Sequence, residues 1–329
     1  MWYRRMRHSV ASLLSAMIAV TVGFSIAPAA RAADPLKPPP LKVVTTTGMI
    51  ADAVKQIGGE FVETKALMGP GVDPHAYRQT RTDIVALSKA DLILWHGLYL
   101  EAQLEDFIQR LDAKKTVVAV AESLPKDLLI GHDDYAGKYD PHVWMNPELW
   151  SRVVAVVRDA LIEARPQHAS AFETAAEAYT ARISQLSAYT KNVLSSVQPG
   201  RRVLVTAHDA FNYFGARYDF EVIGIQGIST ESETGLKRIS ELVALLVERK
   251  ISAVFVESSV SDRNIRALIE GAAALGHTVE IGGEIFSDAM GEPGTYQGTY
   301  IGMIDHNATT ISRALGGEAP EKGMLGRLS

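Results

Sequence analysis

From residue 42 onward, short apolar runs alternate with stretches whose apolar residues recur every three or four positions. KVVTTT (42–47), FVETKALM (61–68), DLILWH (91–96) and TVVAVAES (116–123) read as strands. MIADAVKQIGG, TDIVALSKA and LEAQLEDFIQRLDA, which lie between them, read as helices, the first stopping at paired glycines. Near-continuous apolar strands separated by amphipathic helices predict a parallel sheet covered on both faces. The pattern restarts after PGRR (199–202). RVLVTA, EVIGI, SAVFVES and TVEIGGEI are the strands there; AFNYFGARY, ETGLKRISELVALLVERK, DRNIRALIEGAAALG and TYIGMIDHNATTISRAL are the helices. The predicted fold class is α/β, with two α/β lobes holding parallel sheets.

Between the two alternating regions the period is helical throughout. Asn146 reads as an N-cap and Pro147 as the first helical residue, before ELWSRVVAVVRDALIEAR. A longer helix follows over 168–197, where Phe172, Tyr179, Ile183, Leu186 and Val193 form one narrow apolar stripe. About 30 residues at ~1.5 Å each make a rod of roughly 45 Å. A stripe so narrow on a rod so long suits a strut lying across both lobes. The expected division is an N-terminal lobe at 42–165, a linking helix at 166–199 and a C-terminal lobe at 200–329.

The first 32 residues have a different character. A basic start, MWYRRMRH, precedes the apolar run SVASLLSAMIAVTVGFSIA and then PAARA, with small residues at Ala30 and Ala32. This is the signal-peptide pattern, with cleavage expected after Ala32, and a Pro-rich tail (33–41) follows. Cleavage removes four arginines and no acid, so the formal charge of −5 becomes about −9. An acidic surface argues against a nucleic-acid partner. No second long apolar run exists, so the mature chain is not expected to be membrane-embedded. The chain has no cysteine, which excludes disulfides, thiolate metal sites and lipid attachment at an N-terminal cysteine. A secreted, unanchored chain points to the periplasm.

Chemistry enters through the tripeptide Asp-Pro-His, present at 73–75 and again at 140–142. Proline fixes its own φ and restricts the residue before it, so each histidine leaves a stiff loop. His75 follows the second strand, His142 the fourth, and His208 directly follows RVLVTA. Ligands of parallel α/β sheets bind beyond the carboxyl ends of strands, so a cleft between lobes would unite these three. Three imidazoles suit a transition metal and usually take a carboxylate with them. Asp288, after the last strand, and Glu257, ending VFVES, both qualify from position; Asp209 points elsewhere as its helix begins. His96 is expected to be a satisfied structural histidine. His132, His168, His277 and His306 are expected to be solvated.

The stretches GVDPHAY, HGLYLE, DPHVWMNP, TAHDAFNYFGARY, GIQGISTESETGL, VFVESSV and GGEIFSDAMG resemble, in order, those of the periplasmic solute-binding proteins of zinc and manganese ABC transporters (cluster A-I, or cluster 9). The resemblance spans about residues 42–316 and implies metal ligands His75, His142, His208 and Asp288, two from each lobe. It also implies one rigid helix between lobes, Mn²⁺ or Zn²⁺ as cargo, a membrane permease as partner, a monomeric receptor and no enzymatic activity. Two departures stand out. Many manganese-dedicated members carry Glu where this chain has His208, and many zinc-dedicated members carry a His-rich loop where this chain has only LPKDLLIGHDDYAGKYD. The pattern looks most like members that accept both metals.

Several expectations follow from that reading. Imidazole ligands must shed protons, so affinity should weaken below about pH 6. A rigid strut implies small lobe motions, with local ordering around His208 or Asp288. The alternative is a periplasmic zinc hydrolase with Glu257 as base, although no HExxH motif exists. A scaffold with a structural metal, or a receptor for an organic solute, are more distant rivals; the latter leaves the paired Asp-Pro-His loops unexplained.

Overall fold

A computed structural model describes residues 39–131, 136–231 and 234–328. The expected signal peptide, most of the Pro-rich tail and His132 lie outside the described residues. The first alternating region contains β1 (Leu41–Thr45), α1 (Gly48–Gly58), β2 (Val62–Ala66), α2 (Arg81–Lys89), β3 (Leu92–Trp95), α3 (Glu105–Asp112) and β4 (Thr116–Ala119). The strands form one sheet in the order β2-β1-β3-β4, and every pairing is parallel. β3 is buried at all four positions, as a central strand covered on both faces requires.

The strands are shorter than the apolar runs predict. β1 stops at Thr45 and β4 at Ala119, because the chain leaves the sheet there to build loops at the carboxyl edge. The helix expected over 100–113 starts only at Glu105. Gly97, Leu98 and Tyr99 all hold positive φ (81°, 53° and 68°). The buried Glu101 carboxylate accepts from the N–H groups of His96 (2.8 Å) and Gly97 (3.1 Å), so side-chain bonds replace the helix at this turn.

α4 (Pro147–Ala164) begins as predicted, with Asn146 accepting from the Glu148 N–H at 3.0 Å and Pro147 at the first helical position. The long helix is α5 (Ala169–Ser195), 27 residues and so roughly 40 Å. All five predicted stripe residues are buried. Beyond it lie β5 (Val203–Thr206), α6 (Asn212–Tyr218), β6 (Glu221–Gly224), α7 (Leu236–Glu248), β7 (Ala253–Glu257), α8 (Arg263–Ala274), β8 (Glu280–Ile285) and α9 (Tyr300–Ala314). β5 pairs with β6 and β7 with β8, both parallel, and β5 lies beside β7. The architecture is thus mixed α/β with parallel sheets and one long helix.

α5 packs on α1 and α4 of the first region and on α9 of the second. Tyr179 of α5 donates to Asp52 of α1 at 2.9 Å, and Asp52 also accepts the N–H of Tyr300, which opens α9, at 3.0 Å. Farther along, the hydroxyls of Tyr189 and Thr309 of α9 lie 2.9 Å apart. One continuous core runs along this helix and includes Trp144, Trp150, Phe172, Phe211 and Tyr300. A smaller core lies under α7 and α8, against β5 and β7. Residues Pro39–Ser329 pack as one unit. Among the described residues no helix is long and apolar enough to cross a membrane.

Candidate metal centre

Each functional side chain lies in a segment that leaves a strand's carboxyl end. His75 lies in the irregular loop between β2 and α2, and His142 in the segment between β4 and α4. His208 is two residues past β5, and Asp288 three past β8. The structure brings these four together: one ligand atom from each lies within 4.8 Å of all the others. His142 and His208 are fully buried, and His75 and Asp288 are 2 % exposed.

Four edges of the cluster can be read directly. His75 Nε2 is 3.3 Å from His142 Nε2 and 3.7 Å from Asp288 Oδ2. Asp288 Oδ1 is 3.3 Å from His142 Nε2, and its Oδ2 is 3.1 Å from His208 Nε2. An ion bound at ~2.0–2.1 Å in a tetrahedral shell separates its donors by about 3.3 Å. The cluster has that size. The contacts are close but poorly aligned for hydrogen bonding: both Asp288 oxygens and His208 Nε2 are buried without a hydrogen-bond partner among the described residues. A buried carboxylate is costly unless positive charge faces it, whether from protonated imidazoles or from a bound cation.

Carboxylates behind the rings set their orientation. Asp140 Oδ1 accepts from both the backbone N–H (2.9 Å) and Nδ1 (2.7 Å) of His142. Glu257 does the same for His208, with Oε1 on the N–H at 2.8 Å and Oε2 on Nδ1 at 2.5 Å. Each clamp fixes the ring's rotation and turns Nε2 towards the cluster, a common device behind metal-binding histidines. Glu257, one of the two carboxylates the sequence offered as a ligand, therefore stands behind a histidine, while Asp288 faces the cluster. Sequence reasoning missed this supporting role for both Asp140 and Glu257. For Asp140 a signal existed, because an Asx side chain readily bonds the N–H two residues on.

The same geometry sets protonation. Burial alone opposes charge on His142, but Asp140 and Asp288 outweigh it and push the imidazole up to about 9. Burial likewise opposes charge on His208, and Glu257 with Asp288 overcomes it, raising that ring well above the ordinary range. Burial would raise Asp288, yet the charges on His208 and His142 hold it well below the usual carboxylate range. His75 has no such clamp on its ring; burial dominates and takes it down to about 3. Without a cation, the raised His142 and His208 rings favour the imidazolium form on either side of Asp288.

The other histidines lie outside the cluster. His96 is fully buried and neutral, lowered to about 3 by burial, and its Nε2–H donates to the Pro141 carbonyl at 2.7 Å. It is structural, as expected, though its Nδ1 lacks a hydrogen-bond partner among the described residues. His168, His277 and His306 are half-buried rather than solvated. His168 stacks on Phe61, and the other two donate to backbone carbonyls of Ile251 and Glu284 at 2.7 and 2.9 Å. Asp209 stays out of the cluster, as the start of its helix suggested.

Comparison with known proteins agrees with this architecture. The chain is 47% identical over 307 residues to the manganese-binding lipoprotein MntA of Bacillus subtilis, covering 93% of this chain and 98% of that one. It is 46% identical over 273 residues to the zinc-binding protein TroA of Treponema pallidum, covering 83% and 88%. The solved structure of the periplasmic TroA superposes with a TM-score of 0.82 over 84% of this chain and 99% of that one. The profile of the family described as zinc-uptake complex component A, periplasmic (ZnuA), matches residues 43–314, nearly the whole described chain, and the protein is a member of that family.

Proposed function

We propose that the protein is the substrate-binding component of an ABC transporter, capturing Mn²⁺ or Zn²⁺ in the periplasm and delivering it to a membrane permease. His75, His142, His208 and Asp288 are the ligands in this reading. The observation that carries it is their convergence: four buried donors from four separate loops, spaced like the corners of one ion's shell. The relatives named for manganese and zinc binding point the same way. Three nitrogens and one carboxylate favour Zn²⁺ by inherent affinity, so manganese loading would depend on supply or on bidentate binding by Asp288.

A carrier reading is preferred over an enzyme. Four protein donors fill a tetrahedral shell, whereas catalytic zinc keeps one position open. A hydrolase would need Glu257 as its base, and both oxygens of Glu257 are engaged by His208. The α5 strut and the sheets on either side are read as two lobes, 42–165 and 200–329, joined by the 166–199 segment. Their closure should be small, because one rigid helix bends less than a strand hinge. The B. subtilis relative is a lipoprotein by name; this chain has no cysteine to carry a lipid, which favours an unanchored periplasmic form. Metal analysis of the protein isolated from periplasm, with Zn²⁺ and Mn²⁺ titrations of the metal-stripped form, tests the proposal. Expected is one divalent ion per chain at sub-micromolar affinity. Absence of binding by either ion would overturn it.

A further inference from the structure

The two loops share the tripeptide Asp-Pro-His and are unequal in how they are held. In the second loop, Asp140 Oδ1 takes both bonds from His142, and Oδ2 accepts from Asn212 Nδ2 of α6 at 3.1 Å. The Asp140 carbonyl accepts from the Tyr213 hydroxyl at 2.9 Å, and the next carbonyl, of Pro141, from His96 at 2.7 Å. Trp144, two residues past His142, donates its indole N–H to the Ser287 carbonyl at 2.8 Å. This loop is bolted to its surroundings on every side, and His142, Trp144 and Met145 are fully buried.

The first loop has far less support. Asp73 Oδ1 accepts the His75 N–H at 2.9 Å, the same Asx arrangement as at Asp140. Its Oδ2 accepts instead from the hydroxyl of Thr230 at 2.5 Å, in the loop that follows β6, 157 residues away. The same later loop is also held from a different segment, the turn before α3, where Gln103 Nε2 donates to Glu231 Oε1 at 2.5 Å. Residues Gly69–Gly71, Ala76 and Arg78 of the His75 loop are exposed. No regular element spans 69–80.

We infer that Thr230 is a positioning residue for His75: its hydroxyl, held by Asp73, keeps the first Asp-Pro-His loop against the other three ligands and so sets how long the ion stays bound. This rests on the metal-carrier reading and adds an order to release. His75 departs first, when the Thr230–Asp73 bond opens, while His142 and His208 remain in their carboxylate clamps beside Asp288. The place of local movement is therefore the His75 loop and its partner at 226–231, in addition to the regions of His208 and Asp288 expected from sequence.

The test compares full-length wild type with T230V and T230S, each loaded with Zn²⁺ and mixed with excess chelator in stopped flow. A hydrogen bond to a carboxylate that partly controls opening predicts about tenfold faster dissociation for T230V, which keeps the shape and loses the donor. T230S, which keeps the hydroxyl, should stay within about twofold of wild type. Hydrogen exchange on the metal-free proteins should quicken at 69–80 in T230V and leave 139–146 unchanged. T230A serves in place of T230V if the valine variant does not fold. Wild-type-like release from T230V, equally fast release from T230S, or exchange that quickens at both loops alike would each overturn the inference. Failure of the wild type itself to bind Zn²⁺ would instead strike the carrier reading.

Discussion

Metal binding should release protons at neutral pH, and pH should govern affinity well above the range an isolated imidazole would suggest. The perturbation is simple: titrate the metal-stripped protein with Zn²⁺ from pH 5.5 to 9. In the cation-free cluster, His142 is held at about 9 by Asp140 and Asp288, and His208 is raised well above its ordinary range by Glu257 and Asp288. Both rings are protonated at pH 7, and both must lose the Nε2 proton before that atom can ligate. His75, lowered to about 3, is already neutral and contributes nothing in this window. The sign is fixed: ligands whose cation-free pKa is raised make binding weaker at every step down from pH 9, not only below pH 6. For His142 alone, two pH units below its pKa cost ~2.7 kcal/mol, or about 100-fold in Kd at pH 7. His142 alone raises the apparent affinity by up to ~100-fold between pH 6 and 8, and His208 adds to it in the same direction.

The charge balance explains why the site tolerates this exchange. Two protons leave as one divalent ion enters, so the buried carboxylates face the same total charge before and after. Calorimetry at pH 7 in buffers of different ionisation enthalpy counts the protons directly; close to two per Zn²⁺ is expected. A competition titration against a chelator of known pH dependence supplies the affinities. Release of fewer than about 0.5 protons, together with an affinity flat between pH 6 and 8, would refute the double-clamp account of His142 and His208.

Three further outcomes follow from named contacts. H142A should weaken Zn²⁺ binding at least ~100-fold by titration while the circular dichroism of the metal-free protein is unchanged, since it removes one of four donors. E257Q keeps the size of the clamp behind His208 but replaces the oxygen on Nδ1 or the one on the N–H by a donor; affinity should fall by ~10–100-fold, and a value within twofold of wild type would deny the clamp its role. D52A strands the Tyr179 hydroxyl and the Tyr300 N–H where α1, α5 and α9 meet. It should cost about 2–4 kcal/mol in urea unfolding, with Zn²⁺ affinity of the folded protein within a few-fold of wild type.

Much of this molecule is legible from periodicity. Each strand and helix exists close to where the apolar pattern sets it, and the stripe on α5 identifies the strut, because burial on one narrow face leaves a record every three or four residues. The exception at 97–104 is physical: Glu101 has the composition of a helix residue but turns inward to the His96 and Gly97 N–H groups, so a tertiary hydrogen bond overrides local propensity. Candidate ligands were legible for a related reason. A histidine directly beyond a strand, or behind Asp-Pro, has its backbone fixed by local chemistry.

What lies behind His208 and His75 was not legible, and the reason is distance along the chain. Glu257 reaches His208 across 49 residues, and Thr230 reaches Asp73 across 157; neither separation leaves a periodic trace. Position at a strand end made Glu257 and Asp288 equal candidates, since the crevice rule says where a side chain begins and not which side of an imidazole it meets. The difference decides the chemistry. Asp288 faces the Nε2 atoms and is left with unpartnered oxygens that demand a cation. Glu257 faces Nδ1 and, like Asp140 behind His142, raises the ring's affinity for the Nε2 proton that a cation would displace. The identical Asp-Pro-His tripeptides diverge for the same reason: the fold gives Asp140 an imidazole on its Oδ1 and an α6 amide on its Oδ2, and gives Asp73 a threonine hydroxyl from another loop. On the proposed reading, a firm ligand and a releasable one come from the same tripeptide, and what separates them is the partner each aspartate's second oxygen meets, Asn212 of α6 for Asp140 and Thr230 for Asp73.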